Sequence, residues 1–289
     1  MLKRKIFMNN VFDFKRLLLV LNKDIQENWK RYALQFVTMF GVIAVMIIFM
    51  ADDKYSKNTM ASDHHGVFMW LNKDLLTAAC WLFMMFGIVI ASTLMDPMNN
   101  KTKRISYLTV PASNVEKVFS RWLLVTVGYG IAFFVALWMA DAIRVAVCSF
   151  NYPNMEVGFL DFGKIAQKQT NNFGDGYVLP SFAVFYLLLS MYFLLQSIFI
   201  LGATFWEKAS FVKTFSVVVV LVIVFVLLCR WTILLSYHDF DEFEKVLKPL
   251  VQSLDTRIGL MSLFFSVITL FNWTLAFLRF RESEVIKRF

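Results

Sequence analysis

Six blocks of almost uninterrupted apolar residues, each about as long as a bilayer is thick, restrict this chain more than any other feature. They cover roughly residues 32–50, 75–95, 122–145, 181–205, 214–236 and 258–279. About 20 apolar residues, rising 1.5 Å each in a helix, cross a hydrocarbon layer of about 30 Å. A helix satisfies its own backbone hydrogen bonds, as a span without water requires. A membrane β-barrel needs shorter segments of alternating polarity, and runs such as 217–228 do not alternate. The five prolines (Pro97, Pro111, Pro153, Pro180 and Pro249) fall outside the blocks or at their edges, where a missing N–H costs no helical bond. Composition agrees. The chain is 58% hydrophobic with 32 Phe, against about 45–50% apolar in soluble domains. No stretch between the blocks is long enough to bury a core of its own. The expected fold is an all-α integral membrane protein, one transmembrane domain over residues 1–289 with six transmembrane helices.

Lys and Arg set the expected orientation. Eight precede the first block, five lie in the 96–121 connection, two follow the fourth block and four lie in the tail, nineteen on one side. The other connections, 51–74, 146–180 and 237–257, hold eight, while Arg144 and Arg230 sit near the outer ends of blocks three and five. Basic connections stay inside, so both termini and the 96–121 loop are expected in the cytoplasm. The net charge of +8 follows from that topology and needs no nucleic-acid partner. The short apolar run 17–21 lacks the length and cleavage site of a secretory signal, so the first block is expected to act as the insertion signal.

Three connecting segments have character. Residues 11–31 carry Phe14, Leu18, Leu21, Ile25 and Trp29, with Tyr32 following, at three- and four-residue steps. This predicts an amphipathic helix lying in the cytoplasmic interface beside anionic lipid. In the 96–121 loop, Ser113 and Glu116 have capping-box spacing, so a helix should begin near Asn114 and run into the third span. Pro111 disfavours helix at Val110, which sets a short basic element over residues 104–109 apart from that helix. The outer 237–257 connection is acidic, with apolar residues at helical steps around Pro249, and suggests two short helices dipped into the outer interface.

Polar candidates inside the spans are few. Asp141 and Arg144, three apart, can pair on one helix face near the outer end of span three. Arg230 lies one to two turns inside the outer end of span five and could line a pathway or neutralise Asp141. His64 and His65 are adjacent, and on a helix they point about 100° apart, poor geometry for one metal ion. His238 lies in a different outer connection. Cys80, Cys148 and Cys229 match no zinc spacing and read as small packing residues. Gly158 to Lys164 has the spacing G-x-x-x-x-G-K, but Ile165 stands where a P-loop needs Ser or Thr for magnesium. No catalytic residues, cofactor site or metal site is expected, and the chain is not expected to be an enzyme.

This order of parts resembles the permease subunit of an ABC-2-type transporter: an interfacial helix, six spans, a cytoplasmic loop between spans two and three, and an amphipathic outer segment between spans five and six. The local run from Lys103 to Lys117, KRISYLTVPASNVEK, is also similar to permease-like proteins of Bacteroidetes-type bacteria. The resemblance implies a multi-pass protein of the bacterial cytoplasmic membrane, a homo- or heterodimer of permease chains, joined to separate ABC ATPase subunits. It further implies that the 104–121 region touches the ATPase, with Lys103, Arg104, Tyr107, Pro111, Ser113, Glu116 and Lys117 as the coupling segment. The long polar outer loop, 151–179, departs from the family pattern. Two other readings stay open, a non-transporting membrane scaffold or sensor and a secondary transporter. The second lacks the acidic or histidine relay such proteins often carry in their spans.

Overall fold

The computed structural model describes residues 12–59, 64–99, 101–164, 182–206, 208–237 and 254–286. Among them every regular element is helical. Six helices are long and apolar enough to cross a membrane, the mark of a multi-pass membrane protein. Contacts divide the chain into two compact units, one of Met1–Ile90 with Pro111–Ser181, the other of Ala91–Val110 with Phe182–Phe289.

The first unit opens with α1 (Phe14–Lys57), 44 residues without interruption, about 66 Å at 1.5 Å per residue. Asp13 caps it, its side chain accepting from the Lys15 N–H at 2.9 Å. Lys54 and Lys57 in the last turn suit the negative end of the helix dipole. The interfacial helix expected over residues 11–31 is therefore not a separate element. No proline and a single glycine, Gly41, interrupt the sequence from 14 to 57, so nothing in the chain breaks the helix at residue 31. The expected apolar stripe faces outward: Phe14, Leu18, Ile25 and Trp29 are exposed, while Leu17, Val20 and Asp24 are buried.

The second helix, α2 (His64–Ala91), begins well before the expected 75. Among its described residues the 51–74 connection is thus mostly helix, with Asn58 and Thr59 in a turn that follows α1. After α2 come a turn and a short 3-10 stretch, Asp96–Asn99. The helix ends at Ala91, short of the expected 95, and Pro97 disfavours α-helix at Asp96 beyond it. Next in chain order is α3 (Lys101–Leu108), which belongs to the second unit. The third span, back in the first unit, is compound. Helix α4 (Asn114–Leu123) passes through a π-helical turn at Leu124–Gly128 into α5 (Tyr129–Asn151).

Helix α1 packs along α5. Its buried positions Ile43, Ile47, Ala51 and Tyr55 recur every four residues, and those of α5 (Phe133, Ala136, Leu137, Ala140, Arg144 and Cys148) recur at three- and four-residue steps. Alanines at these faces let two helices approach closely in lipid, where packing rather than water drives association. Helix α2 joins through Phe83, which stacks on Tyr129 at 5.2 Å and meets Phe133 edge-on at 5.1 Å. The Tyr129 hydroxyl donates to the Phe83 carbonyl.

The second unit holds α3 together with α6 (Phe182–Phe205), α7 (Ser210–Tyr237) and α8 (Leu254–Ile286). Helices α6 and α8 lie along each other. Their buried faces are partly polar: Gln196 and Ser197 on α6, Thr269 and Asn272 on α8. The Asn272 amide donates to the Ser197 hydroxyl at 3.0 Å. Helix α7 touches α6 through its first turns. There Phe211 stacks on Phe199 at 5.4 Å, and Thr214 sits against Gly202. From Phe215 to Trp231 no residue of α7 is buried, a helix apolar on every side whose surface suits lipid. Residues 238–253 lie outside the described residues, and with them most of the expected outer helices of the 237–257 connection.

Candidate functional site

The expected coupling residues are divided between the two units. In the second unit, Arg104 and Tyr107 turn inward. The Arg104 guanidinium donates to the Met98 carbonyl from Nε at 3.0 Å and from Nη2 at 2.6 Å. Tyr107 is buried and meets Phe280 edge-on at 6.1 Å. These two contacts fasten α3 to the 3-10 stretch and to α8. The opposite side of α3 is open, with Thr102, Lys103, Ile105 and Ser106 exposed and Ile105 64% exposed.

In the first unit, the capping box read from the sequence is present. Ser113 Oγ accepts from the Glu116 N–H at 3.2 Å, and Glu116 Oε2 accepts from the Ser113 N–H at 2.9 Å. Glu116 does more than cap its own helix. It is fully buried, and its Oε1 accepts from the Asp13 N–H at 2.6 Å and pairs with Arg16 Nη2 at 3.2 Å. One carboxylate thus ties together the starts of α1 and α4. A carboxylate near a helix N-terminus is favoured by the unpaired N–H groups and the dipole there. Further along α4, Arg121 Nη2 pairs with Asp24 Oδ1 at 3.0 Å, with side chains only 8% and 4% exposed. Phe12 meets Phe119 edge-on at 6.3 Å. Glu116 and Lys117, expected to touch a partner, are both buried, and Glu116 belongs to this internal joint. Pro111 is exposed and Ser113 half-buried. Nothing in the sequence singled out Asp13, Arg16 and Asp24 as members of the joint. Their only signal was charge, within a stretch whose lysines and arginines were already explained by topology.

At the other end of the first unit, Asp141 and Arg144 pair as expected, Arg144 Nε to Asp141 Oδ1 at 2.7 Å, both buried. Their remaining bonds go to the segment that follows α5. Arg144 Nη2 donates to the Gly158 carbonyl at 2.5 Å, and the Leu160 N–H donates to Asp141 Oδ2 at 2.8 Å. More contacts hold the same segment. The Tyr55 hydroxyl donates to the Glu156 carbonyl at 3.1 Å, and the Asp161 N–H donates to Asn72 Oδ1 at 3.0 Å. The Tyr152 hydroxyl donates to Asp52 Oδ1 at 2.7 Å, a bond that raises its pKa and keeps it protonated. The Asp141–Arg144 pair therefore clasps residues 152–161. Arg230 is exposed on α7, and Asp141 pairs with Arg144 on its own helix. The G-x-x-x-x-G-K stretch is part of the clasped segment. Its Gly158 carbonyl is held by Arg144, and the Gly163 N–H donates to Asp161 Oδ1 at 2.9 Å. This is an Asx-type turn into the short 3-10 helix Phe162–Lys164, with no strand-to-helix cradle for phosphate.

The adjacent histidines face different partners across the same segment. His64 Nδ1 lies 3.0 Å from Met155 Sδ, and His65 Nδ1 lies 2.9 Å from Glu156 Oε2. Among the described residues, no group of three or more His, Cys, Asp or Glu is placed to hold a metal ion. No family model, no curated protein and no solved structure matches the chain.

Proposed function

We propose that the chain is the membrane-spanning permease subunit of an ATP-driven exporter of the ABC-2 type, with ATP hydrolysis supplied by a separate subunit and a second permease chain completing the assembly. In this reading the protein sits in the bacterial cytoplasmic membrane. Both termini and the 96–121 connection face the cytoplasm, as the nineteen-to-eight asymmetry of Lys and Arg argues. The observation that carries the reading is the form of α3. It is an eight-residue helix between spans two and three, fastened from behind by Arg104 and Tyr107, with an open ridge of Lys103, Ile105 and Ser106. A short helix held rigidly on one side and bare on the other is suited to pass a push from a soluble motor into the spans. The contacting residues are then Lys103 and Ile105, while Arg104 and Tyr107 position them.

The test is co-purification of the chain with a Walker-type ATPase from detergent. Ile105→Glu and Lys103→Glu should each cut ATPase recovery by about tenfold, equivalent to about 1.4 kcal/mol, with membrane insertion unchanged. Recovery unaltered by both substitutions overturns the assignment of α3 as the motor contact.

A further inference from the structure

We propose that His64 and Met155 form a binding site for a soft monovalent metal ion, of the class of Cu(I) and Ag(I), at the end of the first unit where α2 begins. Two consecutive residues opening α2 face two consecutive residues of the clasped segment, side by side. His65 takes Glu156, a carboxylate and the better hydrogen-bond acceptor, at 2.9 Å. His64 is left with the Met155 thioether at 3.0 Å. A thioether is a weak acceptor for an imidazole N–H, so a hydrogen bond gives poor reason for bringing these two groups together. As ligands they are well matched. Thioether sulfur and imidazole nitrogen are donors that suit Cu(I).

The ligands come from pre-positioned backbone. Met155 lies in a turn closed by its own N–H to the Tyr152 carbonyl at 3.1 Å. The Tyr55 bond to the Glu156 carbonyl fixes the residue after it, and Arg144 holds the Gly158 carbonyl. His64 is fixed by its place at the start of α2. A site whose supports are already bonded holds its ligands near the geometry needed. The Met155 side chain itself has three rotatable bonds and can swing back to admit an ion beside the ring nitrogen. Glu156 adds a negative charge next door, and both it and His65 are exposed, so ions can enter. The donor set also sets selectivity. Structural zinc takes four ligands from Cys, His and carboxylate, and no such group occurs among the described residues.

The experiment is equilibrium titration of the purified full chain in detergent with Ag(I), which undergoes no redox change, against a competing chelator. Met155→Leu keeps the apolar volume and His64→Ala removes the ring. The three cysteines contribute equally to every chain, so the readout is the difference between them. Wild type should bind one more equivalent of Ag(I) than either variant, or the same number with one site at least about tenfold tighter. A zinc titration should show no such difference. Identical stoichiometry and affinity in all three chains would overturn the site, as would loss in His64→Ala with full retention in Met155→Leu. If His64→Ala fails to give a monodisperse protein, Met155→Leu decides the question alone.

Discussion

Glu116 shows how much one side chain can be asked to do. Its carboxylate, itself fully buried, accepts from two backbone N–H groups at the starts of different helices and pairs with Arg16, whose side chain is about one-third exposed. Removing it leaves those partly buried donors without this acceptor. Glu116→Ala should cost about 2–4 kcal/mol of stability, measured by thermal unfolding in detergent. Glu116→Gln, which keeps one acceptor oxygen, should cost less. The loss should be the same whether or not an ATPase is present. Asp24 and Arg121 obey a related logic. A buried pair is costly to break from one side and far less costly to replace as a pair. Arg121→Met alone should cost about 3–5 kcal/mol, while Asp24→Leu with Arg121→Met should recover most of that loss. If the double variant is as unstable as the two losses added, the pair is not coupled as described. The cap at Ser113 was legible because it depends on residues three apart. The bonds from Asp13, Arg16 and Asp24 were not, because their partners stand about a hundred residues away and nothing local sets that distance.

Among the elements, the helices themselves were largely readable, since bilayer-length apolar runs separate them. The fourth expected span, 181–205, is nearly coincident with α6 (Phe182–Phe205). The ends were less readable. Helices α1, α2 and α8 run well past their apolar blocks because polar, helix-compatible residues continue them, and hydropathy stops where helix does not. Neutral polar residues were also overlooked: Gln196, Ser197 and Asn272 do not break a hydropathy window, yet they form the polar seam between α6 and α8. At Gly202 helix α7 comes close against α6. A Cβ there would lie 2.9 Å from the Cβ of Thr214 and closer still to its hydroxyl. Thr214 is β-branched and buried, so it cannot rotate away cheaply. Gly202→Ala should therefore push α7 off α6 and lower the melting temperature by several degrees, equivalent to about 1–3 kcal/mol. Gly202→Ala combined with Thr214→Ala should restore part of the loss, because the closer Oγ1 and Cγ2 go while the Cβ at 2.9 Å stays. An unchanged melting temperature in the single variant would mean the two helices do not pack through this point.

For the whole molecule, the proposed topology threads the chain six times through lipid and keeps its basic connections on one side. On that topology α3 faces the cytoplasm and the clasped 152–161 segment, with His64 and Met155, lies on the other side. Ile105 stands exposed on the open ridge of α3, so replacement by cysteine opens no buried cavity. The reactivity of the Ile105→Cys variant toward an impermeant maleimide, read as labelling above that of the parent chain, therefore tests the topology most directly. The introduced thiol should stay unlabelled in intact cells and react in inside-out membrane vesicles, with the Glu156→Cys variant behaving in the opposite way. Labelling of the Ile105→Cys variant from outside intact cells would place α3 on the wrong side of the membrane and contradict both the orientation and the motor contact.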